Sequence, residues 1–295
     1  MKIGFIGLGN MGLPMAKNLK DAGHEVLGFD VVPSALEAAK QAGLEAASSN
    51  QQAAQNADCV VTMLPNGQIS KLVATEVIQT LNAGALLIDC STIDVESAND
   101  IHSLANEANV LALDAPVSGG VGGAAAGTLT FMIGGEDVAL LKGQPLFEIM
   151  GAKSVHCGDG GKGQVAKMCN NMLLAITMAG ASEAFNLGEK LGINPQNLFD
   201  VMSTSSGSCW SINTYCPVPG IGPKSPADND YQPGFAVDLM LKDAGLSQDA
   251  AKTVGAQTPL GAHATQLYAA MAEQGLGGQD FSAIIDFLKQ DKPKA

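Results

Sequence analysis

The first 160 or so residues alternate between short apolar runs and segments whose apolar residues recur with helical spacing. Short apolar runs between turn residues predict buried strands, and a period near 3.6 predicts amphipathic helices. The predicted strands are Lys2 to Ile6, Glu25 to Phe29, Cys59 to Leu64, Ala85 to Cys90, Val110 to Leu113 and Leu129 to Ile133. The helices between them are predicted to start near Met11, Pro33, Gly67, Val95 and Glu136. This alternation predicts an α/β domain over residues 1–162, with a doubly wound parallel sheet covered by helices on both faces.

From Gly163 the alternation stops. Residues Gln164 to Leu191 predict one long helix that ends before Gly192, and Asn194-Pro195 opens the next helix. No strand pattern follows, so residues 163–295 are predicted to form an all-helical domain for substrate binding and oligomerisation, joined to the first by the long helix. Because this helix is apolar on several faces, we expect a homo-oligomer, either a dimer or a tetramer.

One segment, Ser203 to Gly234, breaks the helical pattern and holds five prolines. A connection of about 30 residues is rare in a compact domain and is typical of a lid, a binding loop or disorder. It contains Trp210, the only tryptophan of the chain, which favours an ordered, packed loop in contact with the substrate.

Composition and charge narrow the range of possible functions. The formal net charge of -13 opposes binding to nucleic acid or to an anionic membrane surface and leaves a small molecule as the expected ligand. There is no charged leader and no run of about 18 apolar residues, so we expect a soluble, non-secreted protein. The six cysteines form no C-x-x-C pair and are interpreted as reduced thiols. The cytoplasm is the expected location, although a mature mitochondrial matrix protein would look the same.

A glycine motif follows the first strand and precedes the first helix. Gly7-Leu8-Gly9-Asn10-Met11-Gly12 fits G-x-G-x-x-G, the pyrophosphate-binding turn of a Rossmann-type fold. Asp30 ends the second strand, where an acid accepts hydrogen bonds from the adenosine ribose, and no arginine follows it. This pattern favours NAD over NADP, with a solvated strand-end acid as the alternative for Asp30.

Two later strand ends should reach the same cofactor, since ligands of such sheets bind at the carboxyl edge. Leu64 and Pro65 lie at the end of the third predicted strand, and Thr92 follows the fourth. Leu64 and Pro65 are expected to contact the adenosine or ribose side of the cofactor. The Thr92 hydroxyl is expected to bond near the nicotinamide.

Hydride transfer from a carbinol carbon needs a group that takes the hydroxyl proton. None of Tyr215, Tyr231 and Tyr268 opens a Y-x-x-x-K pair, and no histidine has ligand spacing with the cysteines, so no metal is expected. Lysine remains. Lys167 lies near the start of the long helix in an apolar stretch, with Asn171 one turn later on the same face. Desolvation and the helix dipole would disfavour its cation and make it a base, whereas a snorkelling surface lysine is the alternative.

A carboxylate-binding candidate is the stretch Asp114-Ala115-Pro116-Val117-Ser118-Gly119-Gly120-Val121-Gly122-Gly123. Glycine-rich backbone after a strand forms an anion-binding nest, and the Ser118 hydroxyl adds a donor. A mobile loop is the alternative. Lys242 is a second candidate for positive charge, with Asp243 as its expected structural partner.

Together these segments resemble the beta-hydroxyacid dehydrogenase family, in the family's order and from end to end of the chain. The matching segments are Gly7 to Gly12 with Pro14-Met15-Ala16, Asp114 to Gly120, Gly160 through Lys167 to Asn171, and Lys242-Asp243. Within that family the proline-rich loop is similar to that of 3-hydroxyisobutyrate dehydrogenases. The resemblance implies a catalytic Lys167, and it implies substrate contacts from Ser118, Gly119, Gly120 and Asn171 and cofactor contacts at Leu64, Pro65, Thr92 and Lys242.

These observations lead us to expect an NAD-dependent enzyme that oxidises 3-hydroxyisobutyrate to methylmalonate semialdehyde, a step of valine catabolism, with Lys167 and Asn171 at the chemical step. A tartronate or succinic semialdehyde reductase of the same family is the alternative, since the same nest and lysine serve any short 3-hydroxy acid. A regulatory NAD-binding module without chemistry is the alternative of another class.

Overall fold

The computed structural model describes residues 1–289. The chain divides into two compact units, Met1–Lys167 and Met168–Ala295. The boundary predicted at residues 162 and 163 lies five residues before this division, inside the same long helix. Among residues 1–289, no helix is both long and apolar enough to span a membrane.

The first unit alternates strands and helices, as the apolar pattern predicts. Its strands are β1 Lys2–Ile6, β2 Glu25–Phe29, β3 Glu45–Ala46, β4 Cys59–Thr62, β5 Leu86–Asp89, β6 Leu111–Asp114, β7 Val117–Ser118, β8 Leu129–Gly134 and β9 Gly151–Gly158. Its helices are α1 Gly12–Asp21, α2 Pro33–Gln41, α3 Asn50–Ala54, α4 Gly67–Ile78, α5 Val95–Glu107, α6 Gly120–Ala126 and α7 Asp137–Met150. Every predicted strand and helix is present within a few residues of its predicted bounds.

The nine strands form one sheet in the order β3-β2-β1-β4-β5-β6-β8-β7, with β9 paired to β8. In this order, the first six strands, from β3 at the edge to β6, are parallel to one another. Strand β1 pairs with both β2 and β4. The chain therefore leaves β1 and β4 in opposite directions, which opens a crevice at their carboxyl ends. The predicted fold class is confirmed. One predicted strand, β8, runs antiparallel to β6 and β7, because only ten residues join β7 to β8 and a parallel crossover needs a dozen or more.

Alternate residues of the strands cover the two faces of the sheet. Ile3 and Phe5 of β1 pack in one buried cluster with Met15 and Phe147 of α1 and α7. Ile6 of the same strand packs in a second cluster on the other face. Two-sided burial explains why these strands are almost continuously apolar.

Helices make up the second unit. Helix α8 (Lys162–Lys190) continues into it from the first unit and is followed by α9 Pro195–Thr204, α10 Trp210–Asn213, α11 Val237–Val254, α12 Pro259–Glu273 and α13 Ile284–Lys289. Within residues 168–289 the only strand pairing is an isolated bridge between Ala236 and Asp280. The core of this unit includes Met178, Met240 and Tyr268.

The proline-rich segment is ordered by a buried acid. Asp280 accepts hydrogen bonds from the Tyr215 hydroxyl at 2.9 Å and from the backbone N–H groups of Gly234 and Phe235 at 2.9 and 3.0 Å. Trp210 stacks on Tyr215, with ring centroids 4.8 Å apart. The segment is thus ordered and packed, as its tryptophan predicts, and it contains the short helix α10, although Trp210 itself is 48% exposed.

Candidate active site

The glycine motif forms the turn between β1 and α1, and its three glycines meet different surroundings. A Cβ on Gly7 would lie 2.2 Å from the Met63 carbonyl oxygen, and one on Gly12 would lie 1.8 Å from the Gly7 carbonyl oxygen. Protein packing therefore requires both glycines. Gly9 has no heavy atom within 4 Å of the position of a Cβ, so the protein leaves its surface open. An open glycine at a helix N-terminus is the cradle that a dinucleotide pyrophosphate needs.

Asp30 is held at this turn by backbone donors. Its Oδ2 accepts a hydrogen bond from the Leu8 N–H at 2.7 Å, and its Oδ1 accepts one from the Val32 N–H at 2.8 Å. The next two residues, Val31 and Val32, are exposed and carry no charge. A fixed carboxylate followed by two uncharged residues suits ribose hydroxyls and repels a 2′-phosphate. The structure thus brings Asp30 to the glycine turn.

The ends of β4 and β5 are joined by a buried polar network. The Leu64 N–H donates to Ser91 Oγ at 2.8 Å, which connects the Leu64-Pro65 turn to the residue before Thr92. Asp89 Oδ1 in turn accepts from the Thr62 hydroxyl at 2.8 Å and from the Ser91 N–H at 3.0 Å. Desolvation raises the pKa of the Asp89 carboxyl. The predicted cofactor contacts therefore lie on two turns that are fixed to each other.

Lys167 is 7% exposed, which is inconsistent with a snorkelling surface lysine. Its Nζ donates a hydrogen bond to the Val117 carbonyl oxygen at 2.8 Å. Val117 directly precedes Ser118, so the lysine amine lies beside the predicted carboxylate-binding segment. This contact joins residues 50 positions apart in sequence.

The glycine-rich segment after Ser118 turns sharply and becomes the short helix α6. Gly119 and Gly120 have φ angles of 135° and 62°, which favour glycine, and both are exposed. Asn18 of α1 donates from Nδ2 to the Ala124 carbonyl oxygen at 2.8 Å. The segment predicted as an anion-binding nest, with a mobile loop as the alternative, thus continues into a helix that one side chain ties to α1.

Two buried residues to which the sequence analysis gave no role of their own, Asp114 and Gln164, fix the start of α8. Asp114, at the end of β6, accepts from the Gly161 N–H at 2.7 Å, from the Gln164 N–H at 3.0 Å and from His102 Nε2 at 2.9 Å. The Gln164 side chain bonds the backbone on both sides of Thr92. Their only sequence signal is a polar residue within an apolar stretch.

In the second unit, Asn171 is 2% exposed and donates from Nδ2 to Asp243 Oδ2 at 2.6 Å. It lies one turn after Lys167 in α8. Asp243 Oδ1 lies 3.5 Å from Lys242 Nζ, so Asp243 is the partner of Lys242 that the sequence predicts. The Lys242 side chain is about one-third exposed.

Within the described part of the chain, no group of three or more His, Cys, Asp or Glu side chains is arranged to hold a metal ion. The acids and amines above are instead engaged by hydrogen-bond donors and acceptors of the protein.

Comparison with known proteins gives matches along nearly the whole chain. Residues 2–158 match the family model described as the NAD binding domain of 6-phosphogluconate dehydrogenase. Residues 161–288 match the one described as the NAD-binding domain of NADP-dependent 3-hydroxyisobutyrate dehydrogenase. The chain is 49% identical over 287 residues to a probable 3-hydroxyisobutyrate dehydrogenase of Mycobacterium tuberculosis, covering 97% of each chain.

A second relative carries a different activity in its name. The chain is 46% identical over 286 residues to an NAD-dependent L-serine dehydrogenase of Pseudomonas aeruginosa, covering 96% of each chain. Among solved structures, the Mycobacterium tuberculosis 3-hydroxyisobutyrate dehydrogenase with L-serine is similar with a TM-score of 0.94 and 49% identity. That match covers 98% of this chain and 99% of the solved one.

Proposed function

Because the chain belongs to the beta-hydroxyacid dehydrogenase family of NAD-dependent oxidoreductases, we propose that it oxidises 3-hydroxyisobutyrate to methylmalonate semialdehyde, as in valine catabolism. The observation that carries this proposal is the buried Lys167, whose Nζ is held at the backbone beside Ser118. An amine in that position is placed to exchange a proton with a hydroxy acid whose carboxylate lies at the glycine-rich turn.

The cofactor, NAD, supplies the hydride acceptor when bound. Gly9 leaves room for its pyrophosphate, Gly7 and Gly12 allow the tight turn that carries Gly9, and Asp30 is proposed to accept from the ribose hydroxyls. Leu64, Pro65 and Thr92 would contact it from the ends of β4 and β5. Lys242 is proposed as a further cofactor contact by analogy with the family.

Lys167 is proposed as the general acid and base. In the oxidation direction its Nζ takes the hydroxyl proton while the carbinol carbon loses hydride and becomes a carbonyl. In the reduction direction the same amine returns the proton. The neutral amine is the form able to accept this proton.

The substrate carboxylate needs local donors, since the chain carries a net charge of -13. The Ser118 hydroxyl and the backbone N–H groups of Gly119 and Gly120 are proposed to supply them. Asn171 is proposed as a further substrate contact because it follows Lys167 by one helical turn. Trp210 is proposed to contact the substrate from the proline-rich segment.

L-Serine is the second candidate substrate. One relative is named for this activity, and a solved relative is described with L-serine. Both candidates are short 3-hydroxy acids that differ at C2, where serine carries an ammonium group and 3-hydroxyisobutyrate a methyl group. A tartronate or succinic semialdehyde reductase would use the same amine and turn. A regulatory module without chemistry would have no use for the buried Lys167.

A substrate comparison tests the proposal. We expect kcat/KM with NAD to be highest for 3-hydroxyisobutyrate, with L-serine second, and lower values for both semialdehydes assayed with NADH. A higher kcat/KM for L-serine would replace the proposed substrate, and a higher value for a semialdehyde would select the reductase. No turnover on any of the four compounds, together with intact NAD binding, would select the regulatory module.

We also propose a homo-oligomer. Leu173 and Leu187 of α8 and Leu191, directly after it, are 59%, 61% and 76% exposed, which is costly for apolar side chains in contact with water alone. Light scattering on a size-exclusion column should give a mass that is a multiple of 30.1 kDa. A mass of one chain at micromolar concentration would contradict this expectation.

The cytoplasm is the proposed location, with a mitochondrial matrix as the alternative. All six cysteines are free thiols, and three of them, Cys59, Cys90 and Cys216, are buried. Such cysteine usage is consistent with a reducing compartment. Fractionation of the source cells would test it, and recovery outside the cell would contradict it.

A further inference from the structure

Gln164 is fully buried in the first turn of α8. Its side-chain amide is bonded at both ends, since Nε2 donates to the Ser91 carbonyl oxygen at 2.8 Å and Oε1 accepts from the Ile93 N–H at 3.1 Å. The two backbone groups belong to the residues on either side of Thr92. One side chain therefore fixes the backbone that presents the Thr92 hydroxyl.

The helix that carries Gln164 is itself fixed. Asp114 accepts from the Gln164 N–H at 3.0 Å and from the Gly161 N–H at 2.7 Å, so the first turn of α8 cannot slide along the sheet without breaking both bonds. Lys167 follows Gln164 by three residues, which places the two side chains on neighbouring positions of one helix face. The helix turn that fixes the backbone at Thr92 thus also carries the proposed base, Lys167.

Core packing alone does not explain a glutamine here. A buried amide loses its hydration on folding, and its hydrogen bonds at best offset that cost, whereas methionine or leucine would fill similar space without it. The amide is useful where the direction of a backbone segment matters. The segment in question is the one expected to face the nicotinamide.

From this geometry we propose that Gln164 is a positioning residue that sets Thr92, and with it the nicotinamide end of the cofactor, in register with Lys167. It acts through these two residues and touches neither the cofactor nor the substrate. The inference rests on the proposed function for the roles of Thr92 and Lys167. The adenosine side is held separately, by Asp30 and by the Ser91 hydroxyl, which keeps its own bond to the Leu64 N–H.

The test compares two ligands on the full chain carrying Gln164→Met. ADP-ribose contains every part of NAD except the nicotinamide, so it reports on the adenosine side and the pyrophosphate alone. We expect the dissociation constant of NAD to rise about fivefold, because two buried backbone groups lose their partners, while that of ADP-ribose stays within about twofold. Turnover of 3-hydroxyisobutyrate should fall about tenfold or more, because misplaced reacting groups are costly.

Gln144→Met is the matched control, because Gln144 lies in α7 of the same unit and bonds only Glu148 and Ser154 among the described contacts. It should bind both ligands as the wild type does. If Gln164→Met does not fold, Gln164→Glu carries the comparison, since it keeps the size and an acceptor for the Ile93 N–H.

Unchanged NAD binding in a folded Gln164 variant would overturn the proposal. An equal loss for NAD and ADP-ribose would also overturn it, since this result indicates a general structural role. The binding comparison does not use the substrate, so a failure of the proposed function appears separately, as a wild-type protein without turnover of 3-hydroxyisobutyrate.

Discussion

The preference for NAD is predicted to depend on the charge of Asp30. The variant Asp30→Asn removes the charge but keeps an oxygen that accepts from the Leu8 N–H, so the glycine turn retains its contact. Losing the charge-assisted bonds to the ribose should weaken the binding free energy of NAD by about 2 kcal/mol, which raises its dissociation constant roughly thirtyfold. For NADP the change removes repulsion between a carboxylate and a 2′-phosphate, which is on the order of 1 kcal/mol even in a watery site. NADP should therefore bind about fivefold better.

Isothermal titration with both dinucleotides measures the effect as a ratio. The affinity ratio of NAD to NADP should fall by about two orders of magnitude, from the sum of the two terms. Asp58→Asn is the control, because Asp58 is another acid that accepts a backbone N–H, from Lys2 at 2.8 Å, but it is exposed and lies at the opposite end of the strands. An equal loss of affinity for NAD and NADP in Asp30→Asn would refute the ribose argument.

Three further predictions concern the polar groups around the site. Ser118→Ala should raise KM for 3-hydroxyisobutyrate about tenfold and leave the dissociation constant of NAD unchanged, because only one donor to the carboxylate is lost; a KM equal to that of the wild type would exclude the hydroxyl. Asn18→Ala removes the bond to Ala124 and should speed amide hydrogen exchange in residues 120–126 about fivefold, whereas unchanged exchange would show that α6 does not depend on it. Burial raises the pKa of Asp89, so the stability that its protonated form contributes is fully present below the unfolded-state pKa, near 4, and is lost as pH rises through the folded-state value. Asp89→Asn should therefore unfold at a higher temperature than the wild type at pH 8 and lose this advantage towards pH 4, and an equal difference at both pH values would contradict the assignment.

Most of the fold could be predicted because its signals are local. The strands β1 and β2 have the predicted bounds, and α2, α4 and α5 begin at the predicted residues, since apolar runs and capping residues lie side by side in sequence. The elements that were not predicted carry weaker signals. Strands β3 and β7 have two residues each, and β9 has no buried residue and shows no apolar run.

The candidate site could be predicted only in part, for a related reason. The glycine turn, Asp30 and Lys167 stand out by spacing or by composition. Gln164 and Asp114 do not, because their role consists of hydrogen bonds to residues 47 to 73 positions away. Such contacts depend on which strands are neighbours in the sheet, and the chain pattern does not specify that order. For the same reason the direction of β8 followed from its pairing with β7 and not from its own residues.

The role of Lys167 is tested most directly by Lys167→Ala, measured by turnover and by cofactor binding in the same preparation. We expect turnover of 3-hydroxyisobutyrate to fall by about 10³-fold or more, as for loss of a general base, while NADH binds within about twofold of the wild type. Partial recovery by added methylamine would reproduce the missing amine, and Lys162→Ala, an exposed lysine of the same helix, should turn over normally. Turnover of Lys167→Ala within about tenfold of the wild type would contradict proton transfer by this lysine.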